Sequence, residues 1–200
     1  IYNLDDLIKE NKLSIQDERH IAQIIAKLFD LYSVNLYKRL RGQFIIIIWD
    51  KNKQILYGAR DHFGIKRLYY YENDDSFIFS TNKRVLTSYL EENYSIENKV
   101  NLQSLQHYFS FQFVPEPLTI NDDIHLVEAG SYFTLKHSKV EFHHFWKPAF
   151  QPNTDVDKNE LVEKIRNIMT EQVNRCMNDD KRFGSFLSGG IDSTFIVGLA

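Results

Sequence analysis

The spacing of apolar side chains changes several times along the chain, and each change predicts a different element. Over 18–32, Ile21, Ile24, Ile25, Leu28, Leu31 and Tyr32 recur every three or four positions. That is one face of an amphipathic helix. A basic stretch follows, in which Lys38, Arg39 and Arg41 read as a solvated turn before Gly42. The pattern then becomes continuous. Residues 43–50 carry Phe44, four isoleucines and Trp49, the composition of a buried strand. A polar turn at 50–53 leads into a second strand at 54–59, which makes a hairpin. A loop at 60–64, a strand at 68–71, a turn at 73–75 and a strand at 76–80 come next, followed by a short helix over 81–89.

Residues 102–109 again have helical spacing. The segment 113–117 is extended, because each of Pro115 and Pro117 pushes its predecessor out of the helical region. Residues 124–130 end on the turn glycine Gly130, and 131–135 with 140–145 form a second hairpin. Residues 147–155 have the composition of a linker. Beyond it, Leu161, Val162, Ile165, Ile168, Met169 and Val173 stripe a long helix over 158–177. Residues 183–187 read as a short buried strand, and a new helix starts at 194. The order predicts a mostly antiparallel layer first and the opening of a parallel α/β unit second.

Composition removes several classes. The hydrophobic fraction is 43% and the aromatic fraction 14%, enough for a packed core and too much for a disordered tail. A net charge of −3 lacks the basic footprint of a nucleic-acid binder. No apolar run approaches the roughly 20 residues that span a bilayer. Cys176 is the sole cysteine, so no internal disulfide forms, which fits a cytoplasmic location. It is read as a small buried thiol rather than a nucleophile. The chain starts at Ile1 without methionine and stops at Ala200 inside an apolar pattern, which is expected of an internal piece of a longer protein.

The chemistry concentrates in Leu187-Ser188-Gly189-Gly190-Ile191-Asp192-Ser193. Two glycines let a backbone approach a ligand without a Cβ in the way. The helix that follows aims free N–H groups and its positive dipole end at the turn, an arrangement that holds phosphate. Ser188 and Ser193 can donate to phosphate oxygens. Asp192 has the wrong sign for phosphate alone and is assigned to a magnesium ion bound with it. A missing lysine argues against a Walker loop. Elsewhere, Arg60 and Asp61 are read as a loop-fixing ion pair, and His143 and His144 point to opposite faces of their strand.

The string Ser-Gly-Gly-Ile-Asp-Ser resembles the pyrophosphate loop of the ATP pyrophosphatases, a family that includes asparagine synthetases. Three further segments are similar to class II glutamine amidotransferases. They are Gly42-Gln43-Phe44 through Trp49-Asp50, Arg60-Asp61-His62-Phe63-Gly64 through Tyr69-Tyr70, and Phe79-Ser80-Thr81-Asn82-Lys83. Residues 113–146 resemble the stretch that joins glutaminase to synthetase in glutamine-hydrolysing asparagine synthetases, and Ile1-Tyr2-Asn3 resembles the end of their Asn-Gly-Glu-Ile-Tyr-Asn motif.

The resemblance implies an incomplete α+β four-layer αββα sandwich of the N-terminal-nucleophile hydrolase type over residues 1–150. It implies the start of a parallel α/β adenine-nucleotide-binding domain over 155–200. It also implies a ligase of asparagine biosynthesis that takes ammonia from glutamine and activates aspartate with ATP and magnesium as an acyl-adenylate. Its expected partners are small molecules, with no nucleic acid and no membrane, and a homodimer is among the assemblies it allows. Two rivals remain: an amide ligase acting on another carboxylate, and a non-catalytic member. No catalytic residue is assigned, because the N-terminal cysteine of the family does not stand in this chain. The family's glutamine-binding aspartate corresponds to Asp17, whereas an ungapped count places Ile21 there.

Overall fold

The computed structural model describes residues 1–13, 20–153, 155–177 and 183–200. Asp17 lies outside the described residues. Two compact units divide the chain, one holding Asn3–Pro148 and the other Ala149–Ala200.

The first unit opens with α1 (Leu4–Glu10), α2 (Ile21–Tyr32), a 3-10 turn (Ser33–Asn35) and α3 (Leu36–Arg39). Strands β1 (Ile45–Asp50), β2 (Ile55–Arg60), β6 (Ser131–Lys136) and β7 (Lys139–His144) form one antiparallel sheet in the order β1-β2-β6-β7. Strands β3 (Tyr69–Glu72), β4 (Phe77–Ser80) and β5 (His125–Leu126) form a second, ordered β4-β3-β5. Helices α4 (Lys83–Tyr94) and α5 (Leu102–Phe111) lie between β4 and β5 in the chain.

Strand alternation sorts the core into three clusters. Ile46, Tyr57 and Ala59 pack with Leu4, Leu7, Ile25, Leu28 and Leu36 of the first three helices. Phe133, from the opposite face of the same sheet, packs with Leu68 and Val127 and with Tyr70, Phe77 and Phe79 of the second sheet. Tyr69 and Tyr71 turn the other way, onto Leu86 and Leu90 of α4. Phe77 meets Phe133 edge-on, with ring centroids 4.9 Å apart. Gly58, opposite Phe133 across β2 and β6, sits where a Cβ would overlap the Phe133 ring, so the ring can lie over β2 only because this position is glycine.

Several expectations need correction. The strand at 43–50 is only partly buried: Ile46 is 8% exposed, but Ile47 is 40% and Trp49 48%. Among the described residues β1 ends its sheet, so its outer side chains lack a neighbouring strand. Arg39 does not point freely to solvent. It pairs with Glu10 at 2.5 Å and stacks over the Tyr32 ring. The helix expected over 81–89 runs on to Tyr94 and begins at Lys83, because the Asn82 side chain accepts from the N–H groups of Arg84 and Val85. Leu4 and Leu7 are the buried positions of α1, a seven-residue helix outside the periodic stretches.

The second unit contains α6 (Lys158–Met177) and α7 (Ile191–Leu199). No strand forms over 183–187, where Phe186 is fully exposed. A strand requires a hydrogen-bonding partner, and the described residues of this unit hold no other strand. Cys176 is exposed, not buried. It lies on α6, a helix with no buried residue.

Tyr37 offers a clean test of the first core. It is fully buried, and its hydroxyl has no partner among the described residues. Burial pushes its pKa well above the ordinary tyrosine value. An unpaired buried hydroxyl costs free energy. Tyr37→Phe is expected to raise stability by about 1 kcal/mol. A folded pKa above the unfolded one also means that Tyr37 withdraws stability as pH rises past about 10. The variant should lose less stability above that pH. Denaturant titrations at neutral and alkaline pH check both outcomes.

Candidate functional site

In the second unit the glycine turn stands directly before α7. Gly189 takes φ +79°, and open space surrounds the position of its missing Cβ. Ser188 Oγ lies 2.9 Å from Ser193 Oγ and accepts from the Gly190 N–H at 3.3 Å. Ser193 Oγ and Thr194 Oγ1 both reach the Gly190 carbonyl, at 3.1 and 2.8 Å. The hydroxyls therefore fasten the turn to the first turn of the helix. Gly190 is the N-cap and supplies no side-chain cap. The first N–H groups of α7 are left as donors beside Ser188 and Ser193. Leu187 and Asp192 are exposed, and Asp192 lies in the first turn. All six residues expected at a phosphate site thus stand on one exposed turn and helix start.

The first unit carries a second constellation. Arg60, 2% exposed, donates from Nε to Lys66 O at 2.6 Å, from Nη2 to Gly64 O at 2.6 Å and from Nη1 to Val127 O at 2.5 Å. Its ion-pair partner is Glu116 at 2.9 Å, not Asp61. Glu116 Oε2 also accepts the Ala129 N–H. Asp61 is fully buried, and its carboxylate caps the loop by accepting from the N–H groups of Phe63, Ile65 and Lys66 at 3.2, 3.0 and 3.0 Å. The two residues do fix the loop, but separately: the cation gathers carbonyls and the anion gathers amides.

His62 projects from the same loop against Phe44, Phe145 and Trp146, edge-on to the first two rings. Burial there holds the imidazole below the usual histidine range, against the opposing pull of Asp61. Next to the loop a cleft of about 1010 Å³ runs along β1. Its walls are apolar, with Gln43, Lys66, Arg67 and Thr81 as polar members and Ile21 at the head of α2. Lys66 and Arg67 fall within the segment 60–70 that resembles the amidotransferases, but their place at this cleft depends on the turn that Asp61 closes. His143 and His144 do face apart. His143 stacks on Tyr132, and His144 bonds Ser131.

Residues 1–146 match the family described as glutamine amidotransferase domain, and the chain belongs to that family. Residues 164–200 match the asparagine synthase family. Among its relatives, asparagine synthetase [glutamine-hydrolyzing] 1 of Bacillus subtilis is 39% identical over 180 residues, covering 90% of this chain and 28% of that protein. A putative asparagine synthetase [glutamine-hydrolyzing] 2 of Methanocaldococcus jannaschii is 29% identical, covering 100% of this chain and 38% of that one. An amidase, chry2, of Gibberella zeae is 27% identical, covering 89% and 26%. The chain therefore spans well under half the length of the relatives it matches. No described helix is long and apolar enough to cross a membrane.

Proposed function

We propose that this chain forms part of a cytoplasmic ligase that makes asparagine from aspartate and glutamine-derived ammonia. Residues 1–150 would be its glutaminase domain, an incomplete αββα sandwich of the N-terminal-nucleophile type. Residues 155–200 would open its parallel α/β nucleotide domain. The observation that carries the reading is the Ser188–Ser193 turn at the head of α7, in a chain whose first 146 residues match the amidotransferase family.

In this reading the turn holds the phosphates of ATP. Leu187, Ser188, Gly189, Gly190 and Ser193 line them, with backbone N–H groups and hydroxyls as donors. An aspartate carboxylate oxygen attacks the α-phosphorus and pyrophosphate leaves. Ammonia then attacks the acyl carbon and AMP leaves. The donor set fits magnesium only together with nucleotide. Asp192 is one carboxylate, no described group of three ligating side chains surrounds it, and magnesium commonly takes one or two carboxylates plus phosphate oxygens. When bound, the ion neutralises phosphate charge.

Aspartate-dependent exchange between ATP and labelled pyrophosphate, measured on the full-length protein without ammonia, tests this. Exchange with aspartate supports the reading. Exchange only with another acid keeps the loop's role and moves the product to another amide. No exchange with any acid favours a non-catalytic protein.

The glutaminase half has its own signal. Asp17 is proposed as the glutamine-binding aspartate, yet Ile21, which the ungapped count puts there, lines the cleft. Either an insertion shifts the register before α2 or the glutamine site is altered. Cys176 is not proposed as the nucleophile. The polypeptide of residues 1–200 alone is expected to release no ammonia from glutamine above a blank, and a measured rate would refute this.

A further inference from the structure

A cavity of about 460 Å³ lies between the first two turns of α4 and the strands of chain at 98–100 and 120–121. Lys83, Arg84, Ser88, Glu91, Asn98 and Asn121 line it. Val100 and Ile120 give it an apolar wall. None of these residues belongs to the turn before α7 or to the cleft along β1.

Lys83 and Arg84, adjacent at the start of α4, both line the cavity, and Glu91 is the one carboxylate among its lining residues. The Lys83 ammonium is fixed by the Asn121 carboxamide oxygen at 2.7 Å, and Asn121 is itself held by a hydrogen bond to Asn98. That contact uses one of three ammonium donors. Arg84 makes no ion pair among the described residues. Of the neighbouring acids, Asp122 accepts from the Asn101 side chain at 2.7 Å, and Glu91 makes no ion pair among the described residues. Burial also holds the Lys83 ammonium below the usual lysine range, as expected of a cation lacking a counter-charge. The chain as a whole is acidic, with net charge −3, whereas the lining of this cavity carries two cations against one carboxylate.

We infer that this cavity is a binding site for a small oxyanion, a carboxylate or a phosphate ester, gripped by Lys83 and Arg84 and flanked by the Ser88, Asn98 and Asn121 side chains. Lys83 is preset by Asn121, so little side-chain entropy is lost on binding. Arg84 closes on the anion from the surface, where its planar fork suits two oxygens at once. The site stands on the first unit alone and does not depend on the ligase reading.

The test is a titration of the isotopically labelled protein with inorganic phosphate, and separately with acetate, followed by amide NMR shifts. Expected are saturable shifts at residues 83–88 and at Asn98 and Asn121. These are read apart from any at 188–193, where phosphate is also expected to bind. The double variant Lys83→Met, Arg84→Gln should bind at least about tenfold more weakly at this cavity. Its unperturbed amide spectrum elsewhere establishes that it folds. Response to phosphate alone assigns a phosphate ester, and response to acetate alone assigns a carboxylate. Absence of saturable shifts with both anions, or equal binding by the double variant, overturns the assignment.

Discussion

Arg60→Met is expected to cost about 3–5 kcal/mol of folding stability, the range for removing one partner from a buried ion pair. Methionine fills much of the same volume, so the loss is not a packing loss. The carbonyls of Lys66, Gly64 and Val127 and the Glu116 carboxylate would all lose their shared donor. Buried acceptors left unpaired carry their full desolvation cost. Glu116 is a weaker lever, because its side chain is 32% exposed and water can replace Arg60 there. Glu116→Gln is therefore expected to cost only about 1 kcal/mol. Urea titrations of the two variants decide the matter. If Arg60→Met falls within 1 kcal/mol of the parent, Arg60 is not the post around which the loop is built.

The second large effect is catalytic. Asp192→Asn should lower pyrophosphate exchange by about 100-fold, the scale set by removing one preorganised electrostatic group. Asparagine keeps the shape and removes the charge that would hold magnesium beside the phosphates. The side chain is exposed in the first turn of α7, so stability should move by no more than about 0.5 kcal/mol. Loss of exchange with an unchanged melting curve would then be chemistry, not unfolding. Retention of more than half the exchange would reduce Asp192 to a carboxylate complementing the helix dipole.

Local pattern carried a good share of the architecture. The apolar run from Ile55 to Ala59 and the polar turn at 50–53 are short-range signals, and the β1–β2 hairpin follows from them. The stripe from Leu161 to Val173 likewise sits on a helix. Non-local pairing was not legible. Nothing in Leu56 or Leu135 announces that they face each other across β2 and β6, or that Tyr69 meets Leu126. The same limit governs the polar loop. Arg60 beside Asp61 suggests a pair, but the guanidinium turns to Glu116, which lies far along the chain. The turn before α7 was legible as a turn because it is contiguous, so neighbouring residues carry its whole geometry. The expected strand before it was not realised, because an apolar run does not name its partner. Lys83 and Asn121 were invisible as a cluster for the same reason.

The placing of β1 bears on how a polypeptide of residues 1–200 by itself behaves when it is stressed. Both end strands of the four-stranded sheet present unpaired backbone groups among the described residues. β7 is guarded by Lys139, Glu141, His143 and His144, side chains that discourage another chain from adding on. β1 carries Ile45, Ile46, Ile47, Ile48 and Trp49 with no charge before Asp50. Such a run is a template for cross-β stacking between copies. Heating that polypeptide, or partial loosening of the helices that cover Ile46, should therefore lead to fibrillar or amorphous aggregates nucleated at 45–49, and its solubility would fail before its secondary structure does.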